Sequence, residues 1–317
     1  MDIERTIALR RLVNQHLAAP TITTPAELVR ALGAVQAQDY SGAKWGIGLR
    51  TRGVTDADVE RAMTDGSIVR THVLRPTWHF VAPADIRWML ALTAPRVKAA
   101  TASYDRKLGL DDSIFRRTNA ALTRALRDGT RLTRTELAHA LRRARVDATG
   151  TQRLAHLVMR AELDGVVCSG GRRGKQFTYA LLEERVPPAA PLDRDEALLE
   201  LTKRYFATRS PATARDFAWW SGLTVGDATR GIQMAGPSLE REVVGDRAYW
   251  VDPSLRARST TPPTAHLLPN YDEYFIGFRD RGAIGRRLQS VDLVTGGDAL
   301  TAYVVAVDGQ LVGGWKR

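Results

Sequence analysis

Apolar and polar positions along this chain change period in a repeating order: two stretches at the helical period, then a pair of runs that alternate every second residue. The clearest copy lies mid-chain. "TRTELAHALRRA" opens with a capping box from Thr133 to Glu136, and "GTQRLAHLVMRAELDG" is amphipathic and closes at Asp164-Gly165. In it Leu154, Leu157, Val158 and Ala161 form the predicted buried stripe, with Glu162 on the same period. "VVCSGGRRGKQFTYAL" then reads as two strands joined by a Gly-rich turn. Two helices followed by a hairpin are the pattern of a winged helix-turn-helix.

An earlier copy starts at "TTPAELVRAL", where Thr24 is the predicted N-cap, Pro25 the first helical residue and Glu27 the far side of a capping box. "DADVERAMTDG" supplies the second helix, and β-rich runs at 68–74 and 77–82 flank Arg75-Pro76. A third copy is "SPATARDFAWWSGLTVGDATRGIQMAG", with Gly222 in the turn between helices, followed by "LEREVVG" and "RAYWVD". Trp219 and Trp220, at helical spacing there, read as core. Proline-rich linkers, "EERVPPAAPLDRDE" and "RSTTPPTAHLLPN", separate the later blocks.

The expected architecture is α+β: three tandem winged helix-turn-helix units with a helical insert and a small C-terminal β unit. The boundaries read as 1–82 and 83–127 for the first winged helix and the insert, 128–186 and 195–254 for the other two, and 265–317 for the β unit. The sequence stops at Arg317 straight after a strand-like run, so strands of the β unit are expected to be missing.

Composition narrows the class. Of 317 residues, 44% are hydrophobic and 26% charged, which suits a protein with buried cores. No apolar run nears the roughly 20 residues of a membrane span, and the N-terminus lacks a signal-peptide core, so a cytoplasmic, nucleoid-associated protein is expected. One cysteine, Cys168, excludes an internal disulfide, and the six histidines lack the spacing of a metal site. The net charge of +11 makes nucleic acid the first partner to consider. Because only six of the 46 basic residues are lysine, part of that excess reflects an arginine-rich composition of the kind a GC-rich genome produces.

"ALGAVQAQDY" holds two neutral amides, Gln36 and Gln38, in an apolar setting. Extended backbone would put both on one face and turn Asp39 away. By spacing alone the favoured reading is that they satisfy backbone groups at a helix-to-loop transition.

Three blocks, "LGAVQAQDYSGAKWGIGLR", "LRPTWHFVAPAD" and "HLLPNYDEYFIGFRDR", occur in an order that resembles the tandem winged-helix DNA glycosylases related to AlkZ. That family combines three winged helices with a C-terminal β element and carries a catalytic signature of glutamine, apolar residue, glutamine. Gln36-Ala37-Gln38 matches it, and Gln38 places the chain in the branch without Asp at that position; Ala37 is a small residue for the central position. The resemblance implies a monofunctional glycosylase that hydrolyses the N-glycosidic bond of N7-alkylated purines, including bulky adducts and interstrand crosslinks, in a repair or self-resistance role. Such a base is cationic and leaves as a neutral molecule, so it needs no acid. Two amides that position water then suffice, since positioning alone contributes several kcal/mol.

The partner implied is double-stranded DNA carrying the lesion, bound by a monomer with no cofactor, no metal and no membrane. Candidate DNA contacts are Arg50 and Arg52 after the motif, and Arg75, Thr77 and His79 at the first wing. Arg172, Arg173 and Lys175 lie at the second wing, and Tyr271, Arg279 and Arg281 near the β unit. Alternation suggests that Trp78 packs while His79 faces the site. The dense charges Asp272, Glu273, Arg279, Asp280 and Arg281 read either as an ion-pair cluster bracing the β unit against the winged helices or, with Tyr271, as groups that approach the lesion. The rival reading is a winged-helix transcription regulator without catalysis; a metal-dependent nuclease is disfavoured because the sequence shows no acidic cluster of metal-binding type.

Overall fold

A computed structural model describes residues 3–255, 264–285 and 303–316. In chain order the first elements are α1 (Ile3–Asn14), α2 (Pro25–Leu32), β1 (Ala34–Gln36), α3 (Tyr40–Arg50), α4 (Asp56–Asp65), β2 (Val69–His72) and β3 (Trp78–Val81). Next come α5 (Pro83–Lys107), α6 (Asp112–Ala125), β4 (Leu132–Thr133), α7 (Arg134–Arg143), α8 (Thr151–Leu163), β5 (Val167–Arg173), β6 (Gln176–Leu181) and α9 (Leu182–Arg185). The last part holds α10 (Arg194–Arg209), α11 (Ala214–Ser221), α12 (Val225–Ala235), β7 (Glu240–Val244) and β8 (Arg247–Val251). After these come β9 (Ala265–Leu268), α13 (Glu273–Ile276), α14 (Gly282–Gly285), β10 (Val304–Val307) and β11 (Gln310–Gly314). The α+β expectation holds.

Residues up to Val59 together with those from Asp195 onward form one compact unit, and Glu60–Arg194 form a second. In the second, Thr133 Oγ1 accepts from the Glu136 N–H and the Glu136 carboxylate from the Thr133 N–H, the reciprocal cap that starts α7. Leu154, Leu157, Val158 and Ala161 of α8 are buried against Leu122, Leu137, Leu141 and Tyr179, as the helical period requires. Glu162 is buried too, because His72 Nδ1 pairs with its carboxylate. Strands β5 and β6 pair antiparallel around Gly174, with a bulge between Ser169 and Gly171, and β4 joins on the other side of β6. Burial pushes the Cys168 thiol up to about 12, which makes it a packing residue and no nucleophile.

Two apolar clusters among the described residues of the first unit matter for the site. Tyr205, Phe206, Phe217 and Trp220 of α10 and α11 form an aromatic cluster with ring centroids 5.1–5.9 Å apart. Ala8, Leu12 and Leu17 pack with Leu268, Tyr274, Ile284, Val304, Ala306 and Leu311, so the C-terminal sheet shares its core with the N-terminal helix. That sheet has the order β11-β10-β9, antiparallel throughout. Thr213 with Asp216 and Thr224 with Asp227 start α11 and α12 with full capping boxes, and Gly222 ends α11 in the left-handed region at φ 71°.

Candidate active site

The glutamine motif begins where α2 ends. Leu28, Val29 and Leu32 bury one face of α2, and Gly33 turns the chain at φ 79°, a conformation that disfavours any side chain. Strand β1 stops at Gln36, so the alternation expected through Gln38 does not continue; residues 38 and 39 form a bend before α3. Gln36 is 5% exposed, and its Oε1 accepts the backbone N–H of Gln38 at 2.8 Å. Gln38 is exposed. The two amides are thus not equivalent: one closes the bend and the other faces outward. Gln36 fills the backbone-satisfying role that spacing alone allowed, and its amide oxygen retains a second lone pair.

What holds the bend is remote in sequence. The Gln36 N–H donates to Glu273 Oε1 at 2.9 Å, 237 positions away. Glu273 Oε2 accepts from Arg209 Nη2 at 2.7 Å and from Trp220 Nε1 at 2.9 Å. Arg209 also donates to the Leu32 carbonyl at 2.9 Å and to the Ala34 carbonyl at 3.3 Å. A buried carboxylate with three donors, and a buried guanidinium spread over its partner and two carbonyls, are the conditions under which interior charges persist. Glu273, Arg209 and Trp220 therefore clamp both sides of β1.

A second buried pair stands behind α3. Arg50 donates to both oxygens of Asp272, at 2.8 and 2.7 Å, and to Gln15 Oε1 at 3.0 Å, and it is 2% exposed. This corrects the expectation that Arg50 anchors phosphates, since its guanidinium is committed inside the protein. Residues 269–272 approach helix α3 closely at Gly42 and Gly46. A Cβ at position 42 would sit 3.1 Å from Asn270 Oδ1, and one at position 46 would sit 3.2 Å from Asp272 Oδ2. The seam between them, lined by Gln36, Arg50, Asn270 and Glu273 among others, holds about 10 Å³, about one water molecule and far too little for a nucleobase. Asp39 is the N-cap of α3, yet its side chain makes no cap; Oδ2 instead accepts the Tyr303 hydroxyl at 2.9 Å.

Of the other candidates in this unit, Arg52 and Arg279 are exposed. Tyr271 is half-buried against the N-terminal core, and Arg281 lies over the Phe275 ring at 4.4 Å with its Nε donating to the Phe275 carbonyl. The expected ion cluster at 272–281 is not internal: Asp272 and Glu273 pair with Arg50 and Arg209, and Asp280 pairs with Arg247. Trp220 is core as expected. Trp219 is 36% exposed, its indole donating to the Ile276 carbonyl.

In the other unit, Arg172 pairs with Glu60 and Arg173 with Glu136, each at 2.9 Å, and Lys175 is exposed at the turn. Arg75 and Thr77 are half-buried. His79 is wholly buried, its Nδ1 2.9 Å from the Thr77 carbonyl, whereas Trp78 is half-buried under the Arg70 guanidinium, 4.4 Å from its ring centroid. The expected orientations of Trp78 and His79 are reversed. Arg70 lies 4.6 Å from the Phe177 ring as well, and with Phe80 opposite it wholly buried both faces of this hairpin are covered.

Sequence reasoning missed Glu273, Arg209, Asp39 and Tyr303 as parts of the site. The only local signal was the unusual density of acids and aromatics in "NYDEYFIGFRDR".

Comparison with known proteins follows the same lines. Residues 29–317 match the family model for AlkZ-like DNA glycosylases. A Streptomyces sahachiroi protein named interstrand DNA cross-link repair glycosylase is 25% identical over 324 residues, covering 96% of this chain and 85% of that protein. The solved structure of the Streptomyces sahachiroi DNA glycosylase AlkZ superimposes with a TM-score of 0.82 at 25% identity, covering 100% of this chain and 88% of the other. With the family match spanning both compact units and the glutamine motif, the chain belongs to the AlkZ-like DNA glycosylases and is an enzyme of DNA repair.

Proposed function

We propose that this glycosylase releases N7-alkylated purines from duplex DNA, including purines joined in interstrand crosslinks, with Gln36 and Gln38 positioning the attacking water. The observation that carries this reading is the fixed bend at the motif: Gln36 is held through Glu273 and through the Gln38 N–H, so the exposed Gln38 amide is presented from a rigid support. Neither amide is basic enough to take a proton at neutral pH. A cationic alkylpurine already has a good leaving group, and the remaining requirement is orientation of water at the sugar. The name of the Streptomyces sahachiroi relative supports crosslinked DNA as a substrate. The small seam behind the motif supports a lesion met at the protein surface and not in a base-flipping pocket.

In this reading the protein acts as a monomer. Arg172, Arg173 and Lys175 track phosphates at one wing, and Arg52, Arg279 and Arg281 contribute from the other unit.

Single-turnover release of N7-methylguanine from a duplex, run beside a crosslinked duplex, tests the proposal. The Gln36→Ala, Gln38→Ala double variant should lose at least about 100-fold in rate, the scale on which misplaced groups act, while retaining DNA affinity. Release at the wild-type rate would remove the glutamines from the mechanism. Release of methylguanine without action on the crosslink would restrict the substrate to monoadducts.

A further inference from the structure

The outward face of the C-terminal sheet is apolar where an ordinary surface sheet is polar. Val304, Ala306, Leu268 and Leu311 point into the core. Alternation therefore turns Leu267, Tyr303 and Val305 the other way, and Leu267 stands directly opposite Val305 in the β9–β10 register. Trp315 lies beside Tyr303, its N–H donating to the Tyr303 carbonyl, with ring centroids 5.0 Å apart. Trp45 of α3 completes the group, 6.3 Å from Trp315. Antiparallel sheets with one solvated face normally carry polar residues there, and a contiguous apolar patch marks an interaction site.

Two features make this patch a rigid platform. Every polar handle is already used within the protein: Trp45 Nε1 donates to the Leu267 carbonyl at 2.7 Å, Trp315 Nε1 to the Leu268 carbonyl at 2.8 Å, and the Tyr303 hydroxyl to Asp39 at 2.9 Å. The rings are held by their edges while Trp45 keeps 48% of its surface exposed. The Tyr303–Asp39 bond also joins the platform to the residue next to Gln38.

We propose that the outward face of the β9–β10–β11 sheet, with Trp45, is a stacking surface that receives a nucleobase unstacked at the lesion. The occupant follows from its neighbours. The enzyme acts on DNA, the seam behind the motif admits no base, and aromatic faces bind any base through its π surface. Alongside Trp45, a hollow of about 640 Å³ lined by Ser41, Lys44 and Thr55 among others leaves room for the attached sugar and phosphate. The location of the stack relative to the chemistry rests on the glutamine reading above; the stacking itself does not.

The test uses a duplex with a tetrahydrofuran abasic site opposite 2-aminopurine, whose emission falls when it stacks on an aromatic ring. Wild-type protein should quench the emission, Trp45→Leu should abolish the quench and bind about tenfold more weakly, and Trp45→Phe should restore most of both. Val305→Lys places a cation on the same face and leaves the Trp45 ring in the sequence. Loss of the quench in that variant, despite added positive charge, supports stacking over electrostatics. Quenching and affinity unchanged in both Trp45→Leu and Val305→Lys would overturn the proposal. The Gln36→Ala, Gln38→Ala variant should still quench, and its base release is scored separately, so failure of the glutamine mechanism and failure of the stacking surface give different results.

Discussion

Two groups of arginines in this protein do opposite work. Around the glutamine motif, Arg50 and Arg209 are buried and bound to Asp272 and Glu273, with carbonyls and amides completing their hydrogen bonds. On the β5–β6 wing, Arg172 and Arg173 are paired with Glu60 and Glu136 at the surface, the second of these pairs about half exposed. In the dry interior an unpaired charge is prohibitive, so the buried pairs act as fixed struts that set the path of β1 and α3. At the wing, water screens the pair and its net worth is small. Exchanging a surface glutamate for a DNA phosphate therefore costs little. In the proposed reading one residue type serves as scaffold in one place and as an exchangeable contact in the other, with burial separating the two roles.

The largest effect should come from breaking a strut. Arg209→Ala leaves Glu273 buried and unpaired and should cost about 3–5 kcal/mol in urea denaturation, with base release falling because β1 loses its clamp. A loss below about 1 kcal/mol would place Arg209 in the same class as the wing arginines. A smaller stability effect and a larger binding effect are expected at the wing. Arg172→Ala with Arg173→Ala should shift stability by no more than about 1 kcal/mol. The same pair of changes should make the slope of log affinity against log salt shallower by about one for each phosphate contact removed. An unchanged slope would show that the wing does not meet DNA.

The smallest effect is a pH dependence beside the first strut. Burial, reinforced by the positive Arg50, holds the His266 imidazole below its ordinary value, against an opposing pull from Asp272. A histidine with a lowered folded pKa contributes stability that is present above the unfolded value near 6.5 and is lost as pH falls through the folded value. Denaturation midpoints of wild type and His266→Gln should therefore diverge below about pH 6.5, with the wild type losing more. Parallel curves would show that His266 does not titrate within this window.

Much of the local architecture was legible because its causes are local. The Thr133–Glu136 cap, Gly222 at the end of α11 and the α8 stripe each depend on residues within a turn or two of one another. Helix α3 was not legible. "YSGAKWGIGLR" has three glycines, each of which lowers helix propensity, and two of them, Gly42 and Gly46, let residues 269–272 pack against the helix they form. The orientations of Trp78 and His79 failed for a related reason: period two says that neighbours face opposite ways, but not which face is buried.

By itself the amino-acid sequence determined the succession of helices and hairpins, the basic character of the chain and the glutamine motif, since periodicity, caps and motif spacing are written in consecutive residues. Only the tertiary structure decided that Gln36 is buried and Gln38 exposed, that Arg50 is a strut, and that Glu273 reaches Gln36 across 237 positions and Tyr303 reaches the adjoining Asp39 across 264. Those outcomes depend on which distant groups share a desolvated space, where charges must pair and small residues permit contact, and no local pattern encodes that choice.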